Sequence, residues 1–279
     1  MDQHEPGTVV TGPPGATVEF DHHDNELRGR VAIVTGASRG IGAATARRLA
    51  MSGACVVLAS RSRDSLSQVA ETIHSAGGTA VVVPTDVRDT SALDSLVSKA
   101  EEHFGRLDIL VNNAGVFPPV LPADQLTAED WAGTFAVNVT AAWHLSCQAH
   151  KVMAASGGGV VVNVSSTASL YPSIGLSAYC VSKAALNMLS RVAALEWARD
   201  GIRVVAIAPG KVDTELVQPV LAYHQSKQLP VNPMRRVADP GEVAELIAFV
   251  ASDRAAYMTG NLVTFDGGET AGAGAAGAN

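Results

Sequence analysis

The sequence predicts one α/β domain, a doubly wound parallel sheet of seven strands flanked by helices. Three observations point to it. Short Val/Ile/Leu-rich runs recur along the 279 residues, and most are followed by a segment of helical periodicity. Those runs are nearly continuous in apolar residues rather than alternating, as strands covered on both faces are. The first of them leads into a glycine-marked turn and then a helical pattern.

In order, Arg30–Thr35 reads as a strand and Ile41–Met51 as a helix. Ala54–Ala59 is the next strand, Asp64–Ala76 the next helix, Thr79–Pro84 a strand and Ser91–Phe104 a helix. Leu107–Val111 is a strand; a long helical region, 127–155, is expected to break near Asn138. Val160–Val164, Arg203–Ala208 and Leu262–Phe265 complete the strands, with helices over Ala178–Arg199 and Pro240–Ala251. The last helix opens with proline in its first turn and Glu242 nearby, a start signal. No linker divides the pattern, so 26–269 is taken as one domain. Residues 1–25 show little periodicity, and 270–279 are Ala/Gly-rich; both are expected to be flexible.

Composition narrows the function classes. With 47% hydrophobic and 17% charged residues the chain can bury a large core. A net charge of −7 argues against nucleic acid or an anionic membrane as the main partner. No apolar run approaches the roughly 18 residues of a membrane span, and the polar, acidic start does not resemble a signal peptide. Cys55, Cys147 and Cys180 follow no disulfide or metal spacing and are read as reduced thiols of a cytoplasmic protein. His22–His23 has no accompanying ligand cluster, so no metal site is expected.

Two stretches carry chemistry. Thr35-Gly36-Ala37-Ser38-Arg39-Gly40-Ile41-Gly42 joins the first strand to the first helix with the spacing G-x-x-x-G-x-G. Glycines there let backbone N–H groups approach a pyrophosphate at a helix N-terminus. In 163–186, Tyr179 and Lys183 lie four apart in a helical run, hence on one face. An ammonium beside a phenol lowers the tyrosine pKa and suits it to proton transfer with a carbonyl or alcohol oxygen. Ser166, thirteen residues before Tyr179, can hydrogen-bond the same oxygen. Alone, this spacing fits any helix with a buried tyrosine and a solvated lysine.

Taken together the motifs resemble those of the short-chain dehydrogenase/reductase family in its form of about 250 residues. The likeness runs from Leu27 to Gly268 through TGASRGIG, Asp86-Val87, Asn112-Asn113-Ala114-Gly115, Asn138, Ser166, Tyr179 with Lys183, and Pro209-Gly210. It implies a Rossmann-type domain with Tyr179 as general acid/base and Lys183 holding the nicotinamide ribose. It implies that Ser166 polarises the carbonyl and that Asn138 holds a water linking Lys183 to solvent. Ser165 is the rival serine, but the family's interval favours Ser166. The resemblance further puts Gly36, Ser38, Arg39, Gly40, Ile41 and Gly42 at the cofactor, with Asp86 and Val87 at its adenine. Asn113, Ala114 and Gly115 would border it, and Pro209, Gly210, Val212 and Thr214 would line the nicotinamide end. Lys211 is left open between solvent and phosphate.

Cofactor choice follows from charge. NAD enzymes usually place an Asp or Glu at the end of the second strand; here stand Ala59-Ser60-Arg61. Ser60, Arg61 and Arg39 suit a 2′-phosphate, which an acidic residue would repel. The cofactor is therefore expected to be NADP(H), and the reaction the interconversion of a ketone and a secondary alcohol. The substrate pocket is expected from 117–121, 167–174 and 215–233, the last as a lid. Leu170, Tyr171, Ile174, Leu176, Leu216, Val217 and Leu221 suggest an apolar cavity for a small molecule. The resemblance implies a homo-oligomer, a tetramer or dimer, for which Leu145, Val152 and the Ala/Leu face of 184–197 would suit.

Two alternatives remain. One is a 3-oxoacyl-[acyl-carrier-protein] reductase. The arginines such relatives present to an acidic carrier correspond here to Gly157 and Asp200, although Arg199 and Arg203 lie close enough to compensate. The other is a non-catalytic NADP(H)-binding sensor, since fold alone does not prove function.

Overall fold

The computed structural model describes residues 25–215, 217–218, 221–222, 226 and 231–271. The N-terminal extension up to 24, Leu216, Pro219, Pro230 and much of the expected lid lie outside the described residues, as do residues 272–279 of the tail. Thr270, expected to begin that tail, is held instead: its N–H donates to Asp266 Oδ2 at 2.7 Å and its carbonyl accepts from Tyr171 Oη at 2.5 Å.

Seven parallel strands run β1 (Val31–Thr35), β2 (Cys55–Ser60), β3 (Thr79–Pro84), β4 (Ile109–Asn112), β5 (Gly159–Val164), β6 (Ile202–Pro209) and β7 (Leu262–Phe265). Their order in the sheet is β3-β2-β1-β4-β5-β6-β7. The helices are α1 (Gly40–Met51), α2 (Arg63–Ser75), α3 (Thr90–Phe104), α4 (Ala128–Phe135), α5 (Ala141–Ala155), α6 (Ser177–Trp197) and α7 (Pro240–Ala251). The order reverses between β1 and β4, and in such sheets ligands bind at the carboxyl ends of the strands beside that reversal.

Alternate strand residues feed two cores, because successive side chains point to opposite faces. Ala32, Val34, Val56 and Leu58 pack with Leu49, Leu66 and Ile247 of α1, α2 and α7. Val31, Ile33, Val57 and Ala59 pack with Leu93, Leu145 and Met153 of α3 and α5. Each fully buried Val, Leu or Ile contributes about 1.5–3 kcal/mol, so the strands that carry the site are held rigidly.

The long helical region divides as expected: a π-helical turn, Ala136–Thr140, separates α4 from α5 and contains Asn138. Leu145, expected at a subunit surface, is 1% exposed in the core, and Val152 packs against the same cluster. The large apolar side chains that α5 and α6 do expose are Trp143, Val181, Met188, Val192 and Leu195. Among the described residues no helix is long and apolar enough to cross a membrane.

Candidate functional site

At the carboxyl end of β1 the chain must turn sharply into α1. Gly36 and Gly40 take left-handed φ values of 64° and 53°, which glycine adopts at no steric cost. A Cβ at Gly42 would lie 2.2 Å from the Gly36 carbonyl oxygen and 2.5 Å from Asn113 Nδ2. Gly42 is therefore a packing residue that lets α1 close on the turn. Asn113 Nδ2 donates to the Thr35 carbonyl at 2.9 Å, and the Asn113 and Ala114 N–H groups both donate to Thr35 Oγ1 at 3.0 Å. Helices α2, α3, α4 and α7 are capped by Ser62, Asp89, Thr127 and Asp239, whereas Arg39 places no side-chain cap on α1. A glycine cradle leading to an uncapped helix start fits the pyrophosphate of a dinucleotide.

One cleft of about 1750 Å³ is lined by every expected cofactor and catalytic residue except Gly42 and Asn138. At its β2–β3 end stand Ser60, Arg61, Asp86, Val87 and Arg88. Ser60 Oγ is buried and has no hydrogen-bond partner. Arg61 is exposed, with no hydrogen bond or ion pair of its own among the described residues. Arg88, which sequence reasoning passed over, grips Asp86 with two nitrogens at 2.6 and 3.1 Å. That hydrogen bonding holds the Asp86 carboxyl down to about 2. Arg39 forms an ion pair with Glu215, bridging the glycine turn and the loop after β6. Both side chains are largely exposed, at 72% and 73%.

At the β5–α6 end the polar groups are buried. Tyr179 is 8% exposed and Lys183 4%. Burial pushes the Tyr179 phenol up, against a hydrogen bond with Ser166 that pulls it down. Burial lowers the Lys183 ammonium to about 8. The expected depression of the tyrosine by the lysine is thus reversed. Lys183 Nζ lies 5.8 Å from the centre of the phenol ring and donates to the Val164 carbonyl at 2.8 Å. Removal from water therefore outweighs the attraction between the two groups. Ser165, the rival of Ser166, also lines the cleft, and its hydroxyl donates to the Lys183 carbonyl at 3.3 Å.

Asn138 is 1% exposed, and its side chain works as a brace. Its Oδ1 accepts from Val116 N at 2.9 Å, while Nδ2 donates to the Val116 carbonyl and to Ser182 Oγ, each at 3.1 Å. The loop after β4 is thereby fastened to α6. A Cβ on Gly115 would lie 3.5 Å from Asn138 Oδ1 and 3.6 Å from Lys183 Nζ, which puts the brace beside the lysine.

Around this end Val116, Phe117, Pro118 and Pro119 line the cleft, and the Phe117 ring lies 4.7 Å from that of Tyr179. Val217 also lines it, as expected. Leu170, Tyr171 and Ile174 do not; they are exposed, Ile174 completely. The turn Thr167–Ser169 after Ser166 carries that segment outward. Lys211, left open between solvent and phosphate, pairs with Glu269 and is 12% exposed.

The family model described as short chain dehydrogenase matches residues 30–224. A cis-4-hydroxycyclohexanecarboxylate dehydrogenase of Sinomonas cyclohexanicum is 41% identical over 242 residues, 87% of this chain and 97% of that protein. A 2,3-dihydro-2,3-dihydroxybenzoate dehydrogenase of Bacillus subtilis is 33% identical, covering 88% of this chain and 98% of its own length. Among solved structures, a short-chain type dehydrogenase/reductase from Mycobacterium marinum superposes with a TM-score of 0.85 at 34% identity, covering 90% of this chain and 98% of that one.

Proposed function

The chain belongs to the short chain dehydrogenase family, whose members use a nicotinamide cofactor, and on that premise we propose that it interconverts a secondary alcohol and a ketone on a small, largely apolar ring, with NADP(H). The observation that carries the reaction is the convergence of Ser166, Tyr179 and Lys183 at one end of a cleft whose other end is the glycine cradle. The ring is supported by the relatives named for hydroxylated six-membered carbocycles and by the apolar wall of Val116, Phe117, Pro118 and Pro119.

When bound, the nicotinamide would give a hydride to the carbonyl carbon, or take one from the alcohol carbon. Tyr179 supplies the matching proton to the oxygen. Its raised pKa keeps the phenol protonated at neutral pH, ready to donate. Ser166 steadies the same oxygen with its hydroxyl. Lys183 would hold the ribose through ammonium hydrogens other than the one it gives to the Val164 carbonyl. Asn138 keeps the loop after β4 against α6 while a water beside it links Lys183 to solvent.

NADP(H) is supported by the end of β2, where Ser60 Oγ is unpartnered and Arg61, whose charge is felt at Asp86, makes no hydrogen bond or ion pair among the described residues. A planar guanidinium recognises phosphate through paired hydrogen bonds. A free small molecule is favoured over a carrier-bound acyl chain. Asp200 pairs with His150 at 2.8 Å. Arg203 donates into the carbonyls of Val250, Ser252 and Met258, so it is not available to greet an acidic carrier. The reading includes a homo-oligomer, tetramer or dimer, supported by the exposed apolar side chains of α5 and α6. It also includes a cytoplasmic location, supported by three free cysteines, and a single domain over 26–269.

The test is oxidation of NADPH and NADH, read by absorbance, against cyclohexanone, a linear ketone and a 3-oxoacyl group on its carrier and on a short thioester mimic. The expected result is turnover of the ring ketone with NADPH preferred. No turnover with any ketone would leave the sensor reading. A hundredfold preference for the carrier-bound group, collapsing at high salt, would replace this reading with the carrier one.

A further inference from the structure

The three residues leading into Ser166 are each tied to α6. Asn163 Nδ2 donates to Ser190 Oγ at 2.8 Å, the Val164 carbonyl accepts from Lys183 Nζ at 2.8 Å, and Ser165 Oγ donates to the Lys183 carbonyl at 3.3 Å. The side chains involved are almost wholly buried: Asn163 is 2% exposed, Ser165 4%, Lys183 4% and Ser190 1%. Behind them the network continues. Asn163 lies opposite Asn112 in the β4–β5 register and accepts from Asn112 Nδ2 at 2.8 Å. Asn112 Nδ2 also donates to Ser146 Oγ of α5 at 2.9 Å, and Ser190 Oγ donates to the Leu186 carbonyl at 2.7 Å.

A purely apolar contact between β5 and α6 would bury as much surface and tolerate small slides of the helix. A buried polar network does not, because each group that loses its partner keeps the full cost of having left water. The ties therefore select one position of α6 along β5. Ser166 is the next residue of the strand's chain, and Tyr179 is one turn before Lys183 on the helix. Whatever fixes α6 on β5 fixes the phenol against the serine.

We propose that Asn163 and Ser165 are positioning residues, which act through α6 to set the Tyr179 hydroxyl against Ser166. The proposal rests on the reading of Tyr179 as proton donor. Ser165→Ala and Ser190→Ala each remove one tie with little change of volume. Displacements well under 1 Å are enough to slow catalysis, since ~1 Å can cost ~100-fold.

The experiment measures kcat, KM for NADPH and ketone, the pH profile of kcat, and the thermal midpoint. It compares wild type, both single variants, the double variant and Tyr179→Phe. Each single variant is expected to lose roughly three- to tenfold in kcat, and the double variant more than either. KM for NADPH should stay within about twofold, and the alkaline inflection of kcat should move, because the phenol's surroundings change. A kcat within twofold of wild type with an unmoved profile, in the double variant or in both singles should the double not fold, would overturn the proposal whatever the thermal midpoint does. If Tyr179→Phe keeps its turnover, the proton-donor reading falls and the positioning role falls with it. If Tyr179→Phe loses its turnover while the serine variants behave as wild type, the positioning role alone falls.

Discussion

At the β2–β3 end of the cleft and the glycine turn beside it the charged side chains reach in from the surface; Arg88 is 58% exposed and Arg39, in the turn, 72%. At the β5–α6 end Tyr179 and Lys183 are 8% and 4% exposed. Exposed guanidinium groups keep their charge and feel the salt around them. They suit recognition of a phosphate that must arrive and leave. Buried groups are shifted by desolvation, and they suit proton transfer in a fixed geometry. The same cleft thus has a wet end that selects and a dry end that reacts.

The largest expected effect strikes the dry end. Tyr179→Phe should lower kcat by about 10²–10⁴ while NADPH affinity, measured by nucleotide fluorescence, stays near wild type. Retention of more than a tenth of kcat would point to another acid and dissolve the contrast. The raised phenol also gives the two directions different pH dependence. kcat/KM for alcohol oxidation, which needs the phenolate, should climb into the alkaline range. That for ketone reduction should be flat at neutral pH and fall only where the phenol ionises.

Next comes Lys183. Its pKa is lowered to about 8 from an ordinary 10.5, so between those values the unfolded chain binds more protons than the folded one. Stability from this group therefore rises with pH across that window, by roughly 3 kcal/mol in all. The charged form is carried at a cost below about pH 8. Chemical denaturation of wild type against Lys183→Met should show wild type gaining on the variant from pH 8 to 10.5. A constant difference would mean that water reaches the ammonium.

Smaller effects belong to the wet end. Removing a charge-assisted hydrogen bond costs roughly 1.5–3 kcal/mol, so Arg61→Ala should raise the NADPH Kd by about 10- to 150-fold and leave NADH nearly unchanged. Raising ionic strength should weaken NADPH more than NADH in wild type. Equal weakening of both cofactors would show that Arg61 does not read the phosphate. The smallest effect is expected of Glu215→Gln. Exposed ion pairs contribute about 0.2–1 kcal/mol, so freeing Arg39 should tighten NADPH by less than about fivefold in a titration. Weaker binding would mean that Glu215 serves the cofactor instead of competing with it.

The two ends also differ in how much of them could be read from sequence. Gly36, Gly40 and Gly42 announce themselves because a sharp turn needs positive φ and a missing Cβ within a few residues. Arg88 carried a weaker signal, lying two residues beyond Asp86, close enough to close a chelate on its carboxylate. Glu215 carried none, since it meets Arg39 across 176 residues of chain. At the dry end the spacing of Ser166, Tyr179 and Lys183 was legible, but the direction of their pKa shifts was not.

The sequence by itself determined the seven strands, their buried helices, the glycine turn and the side chains offered to the reaction. Those follow from local backbone geometry and from periodicity, which act over a few residues. Tertiary structure alone decided that Leu145 is core and not surface, that Lys211 is taken by Glu269, and that Leu170, Tyr171 and Ile174 face away from the cleft. It also decided that the Tyr179 phenol rises where a neighbouring ammonium alone would have lowered it. Burial and ion pairing are sums over atoms brought together from distant parts of the chain, and no short window of sequence contains them.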